Sequence, residues 1–322
     1  MLNMNKLSFV LFVFVVFLSC KDEKQLEKQI AEIDVNVIIE RFDLAFAKTD
    51  AANLPNLKKT FPFMFSRHIP DSIWVAQIND TLQQELSSEV EKQFIDIKDV
   101  ENEIRSLFKH LKYYDPTFSE PRVVTTTSFV DYRNNVFVSD TVAVIALDTY
   151  LGAQHEFYGD IPNYITKNMH RSNIVTDLAD AYADHYIFQS QRKTLLDEMV
   201  YYGKKLYFKD KVIPFKTDAE KMEYTPEEIT WAIANESEIW SYFIERELLY
   251  STDNALPSRF IANAPFSKFY LELDNESPGR LGQFIGWQIV RAYMAKNDVD
   301  FMDMMRKDAE EIFNNSKYKP RK

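Results

Sequence analysis

The amino-terminal segment constrains this chain most strongly, because it sets one apolar run apart from everything that follows. Lys6 precedes a nearly continuous apolar run from Leu7 to Leu18, and Ser19, Cys20 and a charged string follow at once. The run has about 12 residues, whereas a helix needs roughly 20 to cross the hydrocarbon core of a bilayer. It therefore predicts a removable lipoprotein signal peptide at residues 1–19, which takes no part in the fold.

Cys20 is predicted to be the first residue of the mature chain and the site of lipid attachment. It is the single cysteine of the protein, so it cannot form an internal disulfide. The small Ser19 lets a signal peptidase approach the backbone, and a thiolate is the nucleophile that acylation requires. Phe17 and Leu18 depart from the tidiest form of such a cleavage point, so an ordinary signal followed by an incidental cysteine is the alternative. Apart from a covalent lipid on Cys20, we predict no cofactor.

The rest of the chain has the composition of a globular domain. Apolar residues make up 46% and aromatic residues 14% of the protein, which is enough to fill a core. The net charge of −11 disfavours nucleic acid and anionic lipid headgroups as partners, because both bind positive surfaces. The polar residues 20–32 predict a lipidated tether. Residues 33–322 predict one domain, because no linker rich in proline, glycine or serine divides them.

The periodicity of the domain predicts an α+β fold that is rich in helix. Residues 71–94 are interpreted as one helix, and apolar residues recur every three or four positions from Ile97 to Leu111. From Arg122 to Thr149 the pattern changes to short strand-like runs separated by turn residues, which predicts a small, mainly antiparallel sheet. After Gly152 helical patterns return and continue to the end of the chain.

Two helix starts and one helix contact are also predicted. Thr225-Pro226-Glu227-Glu228 has a hydroxyl cap, a proline in the first turn and a glutamate for a capping box, and Ser277-Pro278 is interpreted as a second start of the same kind. Gly282 and Gly286 are four residues apart among large apolar residues, which predicts a helix face that another helix approaches closely. The nearby Arg280 excludes a lipid-buried helix.

Four further stretches carry a resemblance to a known family. They are IALDTYLG at 145–152, TLLDEM and GKKLYF within 194–208, NESEIW at 235–240, and PGR and IGWQIV within 278–290. In these stretches, and over essentially the whole mature chain, the protein resembles the gliding-motility lipoprotein GldB of Bacteroidetes.

This resemblance implies a component of the envelope machinery for gliding, which is linked to type IX secretion. The implied partners are other gliding and secretion proteins of the envelope, and the implied location is the outer membrane through the lipid anchor. Lys21-Asp22-Glu23 is similar to an export tag that directs some lipoproteins of Bacteroidetes to the cell surface, but a solvated linker explains the same residues. The face of the membrane stays open. We predict a non-catalytic scaffold or assembly factor.

The order of elements also resembles zinc peptidases of the gluzincin type, which implies a degenerate zincin-like fold. Those enzymes need two histidines four residues apart on a helix, with a glutamate beside the first. This chain has five histidines, His68, His110, His155, His170 and His185, and no two of them are four apart. We therefore predict no catalytic residue and no metal ligand. A hydrolase with an unrecognised or degenerate site, or a module that binds a peptide or glycan, is the alternative.

The helix expected at 172–189 carries three acidic residues on one side in place of such a motif. Asp177, Asp180 and Asp184 could gather a cation, but charges with this spacing are more often a solvated surface. His185 continues the row of Leu178 and Tyr182, which favours a packed, hydrogen-bonded histidine over a metal ligand.

Glu236 is the carboxylate that the sequence singles out. It lies three residues after Ile233 and four before Trp240, in an apolar stripe of a helix predicted from Pro226 to about Leu249. A buried carboxylate must be paired or protonated. Arg280, Lys204 and Lys205 are the candidate partners, and a structural ion pair of Glu236 with Arg280 is our prediction. Under the peptidase resemblance Glu236 is the relic of a third metal ligand; a glutamate at the edge of the stripe is the alternative.

Overall fold

The computed structural model describes residues 24–271 and 274–321. Within these residues the chain is rich in helix and contains one four-stranded sheet, which confirms the predicted α+β class. The strands are β1 (Ile39–Glu40), β2 (Arg122–Thr126), β3 (Val136–Val138) and β4 (Val142–Ala146).

The sheet is mixed, and the prediction of a mainly antiparallel sheet is wrong. The strand order is β1-β2-β4-β3, where β1 pairs with β2 and β2 with β4 in parallel, and β3 pairs with β4 antiparallel. The turn residues between β3 and β4 do mark a hairpin, but the hairpin folds back so that β4 lies beside β2. The two-residue β1 comes from much earlier in the chain. Such distant pairing leaves no trace in local periodicity.

Helices make up most of the remaining described chain. They are α1 (24–31), α2 (Phe42–Ala47), α3 (Leu54–Thr60), α4 (Asp71–Ile78), α5 (Thr81–Gln93), α6 (Lys98–Tyr114), α7 (Asn163–Thr166), α8 (Ile174–Tyr186), α9 (Leu195–Val212), α10 (Asp218–Met222), α11 (Pro226–Ala234), α12 (Glu236–Glu245), α13 (Leu256–Phe260), α14 (Leu281–Lys296), α15 (Phe301–Met305) and α16 (Ala309–Ser316). None of the helices in the described ranges is long and apolar enough to cross a membrane.

The sheet is buried between two layers of helix. Successive residues of a strand point to opposite faces. Val123 of β2 belongs to the large core, to which α6, α8, α9 and α14 contribute, whereas Val124 belongs to a smaller cluster with Phe42 of α2 and Leu57 of α3. The sheet therefore joins a small helical layer to a much larger one.

The helices α9 and α14 touch main chain to main chain. A Cβ atom added to Gly286 would lie 1.8 Å from the carbonyl oxygen of Met199, and one added to Gly203 would lie 2.4 Å from the carbonyl carbon of Gly286. A Cβ on Gly282 would lie 2.9 Å from the carbonyl oxygen of Phe260. The close helix packing predicted at Gly282 and Gly286 is confirmed, and Gly203 is the partner that the sequence did not indicate.

Part of the predicted tether is packed against the domain. Residues 24–31 are helical, and Ile30 is 2% exposed. Lys109 Nζ of α6 donates to the carbonyl oxygen of Ala31 at 2.5 Å, and His110 Nε2 lies 3.3 Å from Glu27 Oε1. The folded body therefore includes residues before 33, where the domain was predicted to start.

Helix starts explain where the structure departs from the predicted helices. Asp80 accepts a hydrogen bond from the backbone of Gln83 and so starts α5 separately from α4. The helix predicted from Pro226 is interrupted at Asn235, and the capping box at Thr225 is confirmed. The start predicted at Ser277-Pro278 is wrong, because α14 begins at Leu281 after Arg280 adopts a left-handed conformation.

Lys204 of α9 carries a charge into the core, and this gives a testable consequence for stability. Its side chain is 0% exposed and donates to the carbonyl oxygen of Lys307. Burial lowers the pKa of Lys204 from 10.5 to about 8. The unfolded chain therefore binds more protons than the folded chain between pH 8 and 10.5, so this residue makes stability rise with pH across that range.

We expect Lys204→Met to raise the free energy of unfolding at pH 7 by about 1–3 kcal/mol, because it removes the cost of burying a charge. The gain should shrink as the pH rises from 8 to 10.5. Urea unfolding of both proteins across this range is the measurement, with the exposed Lys193→Met as the control. Because tyrosines also titrate here, the difference between variants is compared; a gain that does not depend on pH would contradict the assignment.

Candidate functional site

Ion pairs join α8 to α9 along the acidic side of α8, which the sequence analysis interpreted as a solvated surface. Asp180 Oδ2 lies 2.7 Å from Lys205 Nζ, and Asp180 Oδ1 lies 3.1 Å from Lys209 Nζ. Lys205 Nζ also lies 3.0 Å from Asp184 Oδ1. The side chains of Lys205 and Lys209 are only 9% and 4% exposed. Lysines therefore neutralise Asp180 and Asp184, and the solvated-surface interpretation is wrong for Asp180.

The lysines had a local signal that the sequence analysis did not use. Lys205 and Lys209 are four residues apart, so they lie on one face of α9. Between them stand Leu206 and Phe208, which are buried. Two lysines with helical spacing inside an apolar segment need acidic partners, and α8 supplies them at matching spacing.

We expect Asp180→Asn to lower the free energy of unfolding at pH 7 by about 1–2 kcal/mol, because it removes the carboxylate that pairs two buried lysines. The value lies below that of a fully buried pair, because the Asp180 side chain is 39% exposed. Burial opposes ionisation, but Lys209 and Lys205 lower the pKa of Asp180 to about 2.

The stabilisation by Asp180 should therefore be present above about pH 4 and lost as the pH falls towards 2. Denaturant unfolding of the two proteins between pH 2 and 7 measures it. Asp184→Asn is the matched control. Asp184 is more exposed than Asp180, and in this variant Lys205 is still paired with Asp180. An equal loss of stability in both variants would show that the pairing at Asp180 is not special.

Asp177 differs from Asp180 and Asp184 because no lysine among the described residues pairs with it. Its Oδ2 atom accepts hydrogen bonds from Tyr150 OH at 2.6 Å and from Asn135 Nδ2 at 2.7 Å. Burial raises the pKa of the Asp177 carboxyl well above its usual range, and the nearby Glu223 carboxylate raises it further. This environment favours the protonated form of Asp177.

Glu223 and Arg280 form an ion pair that replaces the one predicted between Glu236 and Arg280. Arg280 Nη1 donates to Glu223 Oε2 at 2.8 Å, and Nη2 donates to the carbonyl oxygen of Met222 at 2.6 Å. Burial opposes ionisation of Glu223, but Arg280 and then Lys209 lower its pKa. Glu223 and Arg280 both have left-handed backbones, with φ of 55° and 60°.

Glu236 is buried as predicted, at 3% exposure, but its partners are different. Its Oε1 atom accepts a hydrogen bond from Tyr318 OH at 2.7 Å, and the Tyr318 ring packs edge-on against Trp240. The other candidate partners, Lys204 and Lys205, are bound by Lys307 and by the aspartates of α8. Glu236 therefore helps to attach the carboxyl-terminal segment, and the predicted ion pair is wrong because its partner is a phenol 82 residues away.

A fully buried aspartate holds the loop between β2 and β3 in place. The carboxylate of Asp148 accepts hydrogen bonds from the backbone N–H of Ser128 at 3.0 Å and of Val130 at 2.7 Å. Burial raises the pKa of Asp148, although these hydrogen bonds oppose the shift. Val130 has a φ of 59°, which is costly for a β-branched residue. The loop therefore has a fixed conformation, and it carries Tyr132 and Asn135.

The side chains of Asp177, Asp180, Glu223 and Arg280 line two adjoining cavities, which together we call the polar cleft. The larger, of about 410 Å³, is lined by Tyr132, Asn135, Tyr164, Asn168, Asp177 and Glu223, and the smaller, of about 220 Å³, by Asp180, Lys205, Lys209 and Arg280. Glu223 and Asn263 line both. The polar cleft therefore combines phenol rings, amides and paired charges at the junction of α8, α9 and the loops beside the sheet.

The predicted histidine and cysteine features fall outside the polar cleft. The His185 ring lies edge-on to Tyr182 at 6.1 Å, but the residue is exposed, so the prediction of a buried, hydrogen-bonded histidine is wrong. His155 Nε2 lies 3.6 Å from Glu89 Oε2. Over 24–271 and 274–321, no three His, Cys, Asp or Glu side chains are grouped so that they could hold a metal ion. Cys20, the predicted lipid site, lies outside the described residues.

Comparison with known families matches nearly the whole chain. The model of a family described as gliding motility protein GldB matches residues 23–320, which include the polar cleft and the segment that Glu236 attaches. No curated protein and no solved structure matches the chain.

Proposed function

This chain belongs to the GldB family of gliding motility lipoproteins, and from that premise we propose that it is a non-catalytic scaffold or assembly factor of the gliding machinery. The family match over residues 23–320 is the observation that carries the proposal. In the proposed role, acyl chains on Cys20 hold the domain on a membrane, which we propose to be the outer membrane. Confinement to one membrane raises the effective concentration of the domain for partners on the same surface.

The packing of α1 supports a role in which the position of the domain matters. Ile30 is buried, and Lys109 and His110 contact the carboxyl-terminal and amino-terminal parts of α1. Helix α1, which packs against the body, therefore lies within a few residues of Cys20 in the chain. A chain anchored at Cys20 would hold its body close to the bilayer, which suits a component that assembles with other membrane-bound proteins.

The ion pairs of α8 support the non-catalytic part of the proposal. In the peptidases that the element order resembles, this helix presents imidazoles to zinc. Here Asp180 and Asp184 are paired with lysines of α9. Cationic side chains of Lys205 and Lys209 repel a metal ion from the carboxylates that could bind it. Their arrangement favours structural use of the acidic row.

The rival function is a hydrolase with an unrecognised site, and metal analysis of the purified protein separates the two. The scaffold proposal expects less than stoichiometric zinc and no peptide hydrolysis that chelation abolishes. Stoichiometric zinc together with chelator-sensitive hydrolysis would replace the scaffold with an enzyme.

The motility role is tested in a strain that lacks the gene. We expect the strain to lose spreading on agar and to retain type IX cargo inside the cell, and we expect the wild-type gene to restore both. Normal spreading of the deletion strain would remove the motility role, and normal secretion with lost spreading would remove only the secretion link. Crosslinking in cells, followed by identification of the captured proteins, then tests the scaffold role: capture of envelope proteins supports it.

A further inference from the structure

The polar cleft contains polar side-chain groups that the proposed scaffold role does not use. Tyr132, Tyr164 and Asn168 are half-buried and Asn263 is exposed, and all four line the larger cavity. No side-chain hydrogen bond joins any of them to another residue within the described chain. They therefore present two phenol groups and two amides to whatever enters the cavity.

The charges beside these groups are already paired. Glu223 is bound by Arg280, and Asp180 is bound by Lys205 and Lys209. Asp177 accepts two hydrogen bonds from neutral groups. The remaining cation at the larger cavity, Arg133, is exposed and stacks over the Tyr132 ring at 5.6 Å, so water screens its charge. An ionic ligand at the inner wall would have to displace one of these pairs, whereas a neutral ligand would leave them intact. An anionic ligand that pairs with Arg133 at the exposed edge is the alternative that the test must separate.

Some of the strained backbone conformations of the described chain occur near the same cavity. Val130, Glu223 and Arg280 all have positive φ, and the first belongs to the loop that carries Tyr132, while the other two form the ion pair beside Asp177. Such conformations cost free energy and persist where the surrounding structure requires them, often at binding sites. Here Glu223 lines both cavities, Arg280 lines the smaller one, and Val130 lies two residues before Tyr132.

We propose that the polar cleft is a binding site for a neutral saccharide. The cavity of about 410 Å³ lies within the range of small-ligand sites. The apolar face of a sugar ring can pack on Tyr164, and its hydroxyl groups can exchange hydrogen bonds with the amides of Asn168 and Asn263, which both donate and accept.

A saccharide fits these groups better than a peptide does. One common mode of peptide recognition adds an extended peptide to an exposed strand edge, and none of the residues that line this cavity belongs to β1, β2, β3 or β4. The free groups of the cavity are instead side-chain amides and phenols, which match hydroxyl groups in any direction. The proposal does not depend on the motility role, because it rests on the cavity alone.

The test is titration calorimetry of the purified protein with neutral hexose and N-acetylhexosamine oligosaccharides of about two to six units. We expect at least one probe to bind, and we expect Tyr164→Leu and Asn263→Ala each to weaken that binding by about tenfold or more. Tyr250→Leu and Asn314→Ala are the matched controls, because both residues are exposed and outside the cavity, and we expect them to leave binding unchanged.

Three results would overturn the proposal. One is that no neutral oligosaccharide binds at millimolar concentration; another is that the controls weaken binding as much as the cleft variants do. The third is that an uncharged extended peptide, or an anionic oligosaccharide alone, binds in the cavity while the neutral probes do not. Circular dichroism of every variant ensures that a loss of binding is not a loss of folding.

Discussion

Replacing Gly286 by alanine is expected to lower the free energy of unfolding by about 4 kcal/mol or more, at the upper end of what single substitutions do. The new Cβ atom would lie 1.8 Å from the carbonyl oxygen of Met199 and 2.4 Å from its carbonyl carbon. Both are main-chain atoms of α9, so no side-chain rotation can relieve the contact. The two central helices would have to separate, which would disturb the packing of the main core.

Helix propensity predicts the opposite change in stability for this substitution. A glycine in the middle of a helix is normally worse than alanine by about 0.5–1 kcal/mol, so propensity alone would make Gly286→Ala stabilising. Urea or thermal unfolding followed by circular dichroism decides between the two.

Gly159→Ala is the matched control, because Gly159 has a φ of −55° and an added Cβ would lie 3.5 Å from its nearest neighbour. We expect it to change stability by no more than about 0.5 kcal/mol. If Gly286→Ala were as stable as Gly159→Ala, α9 and α14 could not pack as described.

Replacing Cys20 by alanine is expected to abolish acylation completely and to leave residues 1–19 attached, because the modifying enzymes act on the thiol. Each buried methylene of an acyl chain contributes about 0.8 kcal/mol, so two or more chains anchor a protein almost permanently. Labelling with a fatty-acid analogue and mass spectrometry of the amino terminus measure both results. An acyl label that persists in the variant would disprove attachment at Cys20.

A second variant separates the anchor from the signal. Exchanging residues 1–20 for a cleavable secretory signal without a cysteine should deliver the same body unacylated, and washing at high salt should release it from membranes. With a net charge of −11 for the whole chain, the body has little attraction to anionic lipid headgroups. If this variant stays bound to membranes and spreading is normal, the lipid is not what holds the protein in place.

Local patterns predicted the features that depend on neighbouring residues. The capping box at Thr225 involves Glu228, three residues later, and the close approach at Gly286 follows from the absence of a side chain at that position. Helical periodicity placed α6, and β-branched runs placed β2 and β4. Each of these features is set by residues within one or two turns of each other.

The candidate site could be predicted only in part, because local patterns do not show which distant residues meet. The sequence indicated that Asp177, Asp180 and Asp184 share one helix face and that Glu236 is buried. It could not indicate that Lys209 would reach Asp180. Nor could it show that Arg280 pairs with Glu223 and not with Glu236. The chain has several carboxylates that could pair with Arg280, and the pairing depends on which helices meet.

The sequence by itself determined the helix-rich α+β class and the family, and the signal peptide and lipid site stay predictions from it, since all of these depend on composition, short motifs and local periodicity. The tertiary structure alone decided the direction of the strands, the pairing of charges and the walls of the polar cleft. Those features join residues far apart in the chain, where the free energy of burial and charge pairing selects one partner among several.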